Sequence, residues 1–242
     1  MLPSVARNDQ TRIGNAPVPI ATQVHTGYCD RVAIRLEHVS KSFGAVRAVI
    51  DVTLELDAGT VSVIEGPNGS GKSTLLGLIG TLIRPTSGTI EYGDLGDTVM
   101  SVRTKLGWLG HDTLCYPDLT GRENVELAAQ FRGLDGKEAW RDAVQRFGVG
   151  ELHARPVRVA SRGQKQRIAL ARALIGKPPV LLLDEPSTGL DRMSVERIAE
   201  VVMEEARRGA AVVIVTHDRS LLESVKCKKF QMDRGRIKST TS

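Results

Sequence analysis

Three short stretches hold residue types suited to phosphate chemistry. The first reads "GPNGSGKST" and covers Gly66, Pro67, Asn68, Gly69, Ser70, Gly71, Lys72, Ser73 and Thr74. It fits G-x-x-x-x-G-K-[ST], a spacing with a mechanism behind it. Glycines let the backbone bend until successive N–H groups point into one hollow. A helix starting there aims its positive end at the same hollow. Lys72 can then reach terminal phosphates, and the Ser73 hydroxyl can hold Mg²⁺. The second stretch, "VLLLDEP", ends an apolar run on Asp184. A carboxylate at the end of a buried strand is costly unless a metal or cation faces it, and Mg²⁺ on a nucleotide is such a partner. Glu185 follows and can polarise an attacking water. Either carboxylate alone would read as a surface strand end; the phosphate loop tips both toward catalysis. The third stretch, "VASRGQKQR" at 159–167, is too basic for a core and is followed by the helix-forming "IALARAL".

The elements around these stretches must place them together. "TVSVIEG" reads as a buried strand entering the loop, and "STLLGLIGTL" as the helix leaving it. "PPVLLLDEP" and "AAVVIVTHD" are further buried strands, with "SVERIAEVVMEEARRG" an amphipathic helix between them, ended by glycine. Continuous apolar strands alternating with helices imply an α/β fold with a largely parallel sheet covered on both faces. Upstream, "RVAIRLEHVSKSFGAVRAVIDVTLELDAG" alternates apolar and polar residues, with turns at Gly44 and Gly59, and predicts two or three antiparallel strands. From about 112 to 158 the pattern turns helical, in "GRENVELAAQFRG" and "GKEAWRDAVQRFGV". Residues 1–30 are polar, show no clean period and read as a mobile tail.

Bulk properties exclude several classes. The chain has 242 residues, 41% hydrophobic and 25% charged, ordinary for a globular protein. No apolar run approaches the ~20 residues of a membrane-spanning helix, and the N-terminus has no apolar signal segment. Cys29, Cys115 and Cys227 are scattered, which argues against a disulfide framework or a zinc site and suits a reducing cytoplasm. After Asp218 seven basic residues face two acidic ones, an excess equal to the whole formal charge of +5. A solvated face is the plainer reading of that segment. An anionic membrane surface is the sharper one, and without interleaved aromatics nucleic acid is not expected.

Taken in order, these motifs make the chain, from about residue 31 onward, resemble the ATP-binding cassette (ABC) family. "ASRGQ" at 160–164 is similar to the family's L-S-G-G-Q signature. "LLLDEP" runs into "STGLD", like the family's D-loop, with Asp191. "VTHD" carries His217, where the family senses the γ-phosphate, and Phe43 in "KSFGAV" falls where it places an aromatic under adenine. The resemblance implies a P-loop NTPase core with an antiparallel β subdomain and a helical subdomain at about 112–165. It implies ATP and Mg²⁺ as cofactors, bound by the loop together with Ser73 and Asp184. It further implies that two copies dimerise head to tail, with Ser161, Gly163 and Gln164 of one copy on the nucleotide of the other. The hydroxyl of Ser161, the N–H of Gly163 and a helix starting near Gln164 would all face that nucleotide.

Two positions depart from the family pattern. Arg162 replaces a glycine: strained if the position needs a positive φ, and otherwise either a charge near the γ-phosphate or a solvent-facing side chain beside Lys165 and Arg167. We read it as facing solvent. His111, in "GWLGH", stands where the family's Q-loop glutamine contacts Mg²⁺ and the attacking water; a loop histidine without a catalytic role is the other reading. "GWLGHDTLCYPDLTGRENVELA" together with "SRGQ" is similar to the haem-exporter ATPases of bacterial cytochrome c maturation. The expectation is an exporter's ATPase subunit, peripheral on the cytoplasmic face of the inner membrane. Its hydrolysis would rest on Glu185, His217 and His111, and it would drive an integral membrane subunit docked on the helical region, with Trp140 and Tyr116 as candidate contacts; ordinary core packing is the other reading of each and the preferred one for Trp140. The rivals are an exporter of another substrate, a non-transport ABC protein and a nucleotide-binding module without turnover.

Overall fold

A computed structural model describes residues 32–239; the expected tail and Cys29 lie outside the described residues. Strands β1 (Val32–Phe43) and β2 (Val46–Asp57) form a long antiparallel hairpin, turned at Gly44 with φ 58°. Strand β4 (Ser87–Glu91) joins the other edge of β1, making a three-stranded sheet in the order β2-β1-β4. The expected antiparallel strands are therefore three, the third drawn from further along the chain.

The second sheet has six strands in the order β5-β6-β7-β3-β8-β9. Strands β3 (Val61–Glu65), β5 (Leu106–Leu109), β6 (Val180–Asp184), β7 (Ala211–Val215) and β8 (Lys228–Asp233) run parallel. Only β9 (Arg236–Ser239) is antiparallel, paired to β8 as a hairpin. Alternate residues of the central strands enter opposite cores. Val63, Leu181, Leu183, Val212 and Ile214 pack toward one face; Ile64, Val180, Leu182, Val213 and Val215 pack toward the other. Both faces are covered, which is why these strands are continuously apolar.

Helix α1 (Lys72–Ile79) covers the face shared with the antiparallel sheet, joined there by Val102 of the short helix α2 (Val99–Thr104). The opposite face carries α3 (Gly121–Gln130), α4 (Gly136–Phe147), α5 (Arg162–Ala173) and α6 (Arg192–Arg207). Thr120 caps α3 in a reciprocal capping box with Glu123, and Asp135 caps α4, which stops at Gly148 in the left-handed conformation. Arg146 of α4 is joined to the buried Glu205 of α6 at 2.6 Å, tying the helical region to the core. Trp140 takes the core reading: at 8% exposure it packs inside, beside His153, while Tyr116 is exposed. No described helix is long and apolar enough to cross a membrane.

Candidate functional site

The phosphate loop leaves the carboxyl end of β3, in the middle of the parallel sheet, flanked by the ends of β7 and β8. Ligands of open α/β sheets gather at such strand ends. The loop's shape is set by backbone contacts. Gly71 has φ 106°, and a Cβ there would meet the Ala48 carbonyl oxygen at 2.2 Å. The loop is also bound to the β8–β9 turn, where Gly235 N–H donates to Ser70 O at 2.9 Å. Gly71 precedes α1 without any side-chain cap, so the first N–H groups of α1 remain free to meet an anion.

A cavity of about 1190 Å³ opens above the loop. Asn68, Gly69, Gly71, Lys72, Ser73 and Thr74 line it, as do Asp184, Glu185, His217 and His111. Four elements far apart in sequence thus converge as expected. Gly66, Pro67 and Ser70 sit behind the lining: Lys72 Nζ donates to Gly66 O at 2.7 Å and Pro67 O at 3.0 Å, and Ser70 is buried. Phe43 is outside the lining; it is 50% exposed, with Lys41 Nζ 5.0 Å from its ring centre. Val46, Arg47, Ala48 and Ile50 of β2 line the cavity.

The two carboxylates differ in setting. Asp184 is buried at the end of β6, and burial lifts its carboxyl above the usual range. A hydrogen bond from Ser73 opposes that rise, the negative charge of Glu185 adds to it, and positive charge on His111 and Lys72 draws it back. Glu185 instead accepts two hydrogen bonds, from His217 Nδ1 at 2.6 Å and from the Thr216 hydroxyl at 3.1 Å. Its backbone is at φ 49°, rare for a residue with a side chain. Such an arrangement can orient an acceptor oxygen beside a phosphate chain.

The signature segment is built differently. Ser161 is the N-cap of α5, so the helix begins two residues before the expected Gln164. Ser161 Oγ accepts from Gln164 N–H at 3.2 Å, and Gln164 Oε1 accepts from Ser161 N–H at 2.8 Å. The Gln164 amide also donates to Glu151 Oε1, the same oxygen that accepts from Arg167. The Gln164 side chain is therefore engaged within its own chain rather than presented outward. Gly163 has no positive φ; it is small because a Cβ would meet Gly189 O at 2.8 Å. Arg162 is likewise unstrained, at the first helical position; it is exposed, with its stem against Gly189, and it lines the cavity. Ser161, Gly163, Gln164 and Asp191 do not line it. Asp191 caps α6, accepting from Ser194 N–H at 2.8 Å.

Sequence reasoning missed Arg47, Arg219 and Arg234, which also line the cavity, and Gln166, which lies behind Glu185. The D-R-G-R turn was the available signal for Arg234. For Gln166 it was a polar residue in register with the buried Ala169, Leu170 and Ala173.

Residues 49–188 match the family described as ABC transporter. The chain belongs to that family. It is an ATP-hydrolysing ABC cassette, its hydrolysis coupled to transport. The cytochrome c biogenesis ATP-binding export protein CcmA of Gluconobacter oxydans (strain 621H) is 40% identical over 177 residues, 72% of this chain and 77% of that protein. The lipoprotein-releasing system ATP-binding protein LolD of Bacteroides thetaiotaomicron is 34% identical over 218 residues, 85% of this chain and 99% of that protein. The ATP-binding cassette MJ0796, in a dimeric post-hydrolysis state bound to ADP and Pi, superposes with a TM-score of 0.76 at 29% identity, covering 86% of this cassette and 99% of that chain.

Proposed function

We propose that this cassette is the ATPase of a haem exporter serving cytochrome c maturation, working as a head-to-tail homodimer on the cytoplasmic face of the inner membrane. The motor part of this reading rests on one observation: Lys72, Asp184, Glu185 and His217 line a single cavity over the phosphate loop. The cargo part is supported by the 40% identity to CcmA together with the L-G-H element at 109–111.

Glu185 is the acceptor that orients and deprotonates the attacking water, and His217 and Thr216 fix its two oxygens. Lys72 leaves the Gly66 and Pro67 carbonyls to neutralise the terminal phosphates. The residues also fit a divalent cation, since Asp184 is a buried carboxylate bonded to the Ser73 hydroxyl and facing the cavity. Ser73 and Asp184 would hold Mg²⁺, which neutralises charge building on the phosphates. His111 lies close enough to Asp184 to act on its charge, and we assign it the Q-loop position. Ser161 and Gly163 serve the nucleotide of the second copy. ATP favours the closed dimer and ADP does not; that difference in affinity is the drive.

We further assign residues 112–165 to a helical subdomain that docks an integral membrane subunit. Leu114, Tyr116, Phe131 and Leu134 are exposed there, a patch suited to an apolar partner surface. The test is Glu185→Gln, which traps the closed dimer. The tagged variant is recovered from solubilised membranes with ATP, and the co-purifying proteins are identified by mass spectrometry. Integral subunits of a cytochrome c maturation system are expected. A different polytopic protein would discard haem and keep the motor, and soluble partners alone would overturn the membrane partner.

A further inference from the structure

Glu185 combines a demanding task with an awkward backbone. Its φ of 49° lies in the left-handed region, strained for a residue with a side chain unless its surroundings hold it there. Glu185 N–H donates to Val215 O at 2.8 Å, continuing the β6–β7 ladder. Thr188 N–H donates to Glu185 O at 3.2 Å. The remaining support comes from outside the turn. Gln166, 5% exposed on α5, donates through one amide nitrogen to Glu185 O at 3.2 Å and to Pro186 O at 3.1 Å. Two consecutive carbonyls are thus held by a single buried side chain.

We propose that Gln166 is a positioning residue for the Glu185 carboxylate. It does not line the cavity; it fixes the two peptide units that aim the carboxylate at Thr216 and His217. Because Ser161 caps the same helix, five residues before Gln166, α5 also connects the signature segment to the acceptor without any flexible joint. A displacement of the α5 N-terminus is therefore transmitted to the turn at 185–186. The proposal rests on the reading of Glu185 as the catalytic acceptor.

The test is Gln166→Met, close in size and lacking a donor, read by ATPase of the full-length chain purified with its co-isolating membrane proteins. A misaimed base predicts a kcat fall of about 10- to 100-fold. KM should change by less than about threefold, since no nucleotide contact is lost. In a Glu185→Gln background the same change should lower the residual rate by less than about twofold, because the two residues act as a unit. Equal kcat in parent and Gln166→Met overturns the proposal. So does an equal fold-loss with and without Glu185, which is how a general structural defect behaves. Should Gln166→Met fail to fold, Gln166→Asn is read instead, with kcat reduced at constant KM; failure of both to fold makes Gln166 a structural residue and overturns the proposal. A parent complex without ATPase activity would bring down the hydrolytic reading itself, a result separable from any of these.

Discussion

Helices α1 and α5 both begin at segments that the family resemblance assigns to nucleotide, yet they begin in opposite ways. Helix α1 follows Gly71, has no side-chain cap and carries no acid in its first turn. Helix α5 follows Ser161 and is closed by a reciprocal capping box with Gln164, itself pinned to Glu151. The first is shaped by backbone packed on backbone, leaving its N–H groups to an anion. The second is shaped by side chains bonding to one another. The contrast explains where the sequence can vary. Gly66 and Gly71 are packed too closely on backbone to admit a Cβ, whereas the side-chain cap admits Arg162, because the first helical position needs only an ordinary φ.

The harshest way to break this comparison is Gly71→Ala. A left-handed φ and a 2.2 Å approach to Ala48 O leave a methyl no room. A loss of about 3 kcal/mol or more is expected, with ATP affinity down at least ~100-fold. Titration with a fluorescent ATP analogue, alongside the melting temperature, measures both.

A second prediction sets the charge opposite α1 against stability. The folded Asp184 carboxyl is raised, so its protonated form is the one that folding favours. Its contribution to stability is present below the unfolded value of about 3.9 and is lost as pH rises through the raised value. Asp184→Asn should therefore melt higher than the parent at neutral pH, with the gain shrinking as pH falls through the raised value and gone below about 4. Its ATPase should drop to background. A variant that melts lower at pH 7.5 would contradict the sign.

On the α5 side, effects should be milder. Ser161→Ala removes the cap and should cost about 1 kcal/mol, visible in chemical denaturation. It should also weaken ATP-driven dimerisation, measured by light scattering, without weakening ATP binding to the single chain. Smallest of all is Arg162→Gly. It restores the family residue at a cost below about 1 kcal/mol, with ATPase expected within about threefold of the parent. A change beyond tenfold would mean that the guanidinium, which lines the cavity, acts on the phosphates.

Much of the site was readable because its signals are local. The glycine spacing, the Asp-Glu pair after an apolar strand and the histidine after another each announce themselves within a few residues. The sheet, too, was legible in its continuous apolar strands. What escaped depends on distant packing. Gln166 lies within the same motif as Gln164 and does an unrelated job, since one helical position faces the surface and the other faces Pro186. The β8–β9 hairpin was overlooked because its strands read first as a basic segment.

That hairpin has a consequence for how the protein is made. β8 is a direct neighbour of β3; Gly235 bonds to Ser70 O and to Ile50 N–H, and a Cβ at Gly66 would strike Met232 O. The phosphate loop is thus braced by residues synthesised long after it. Contacts so distant along the chain must pay their loop-closure entropy before they form, and they form slowly. A nascent cassette emerging from the ribosome carries the full glycine motif long before it has a rigid place to put it. Nucleotide binding therefore waits for β8 and β9, and a chain cut short before Met232 would display the motif without the grip.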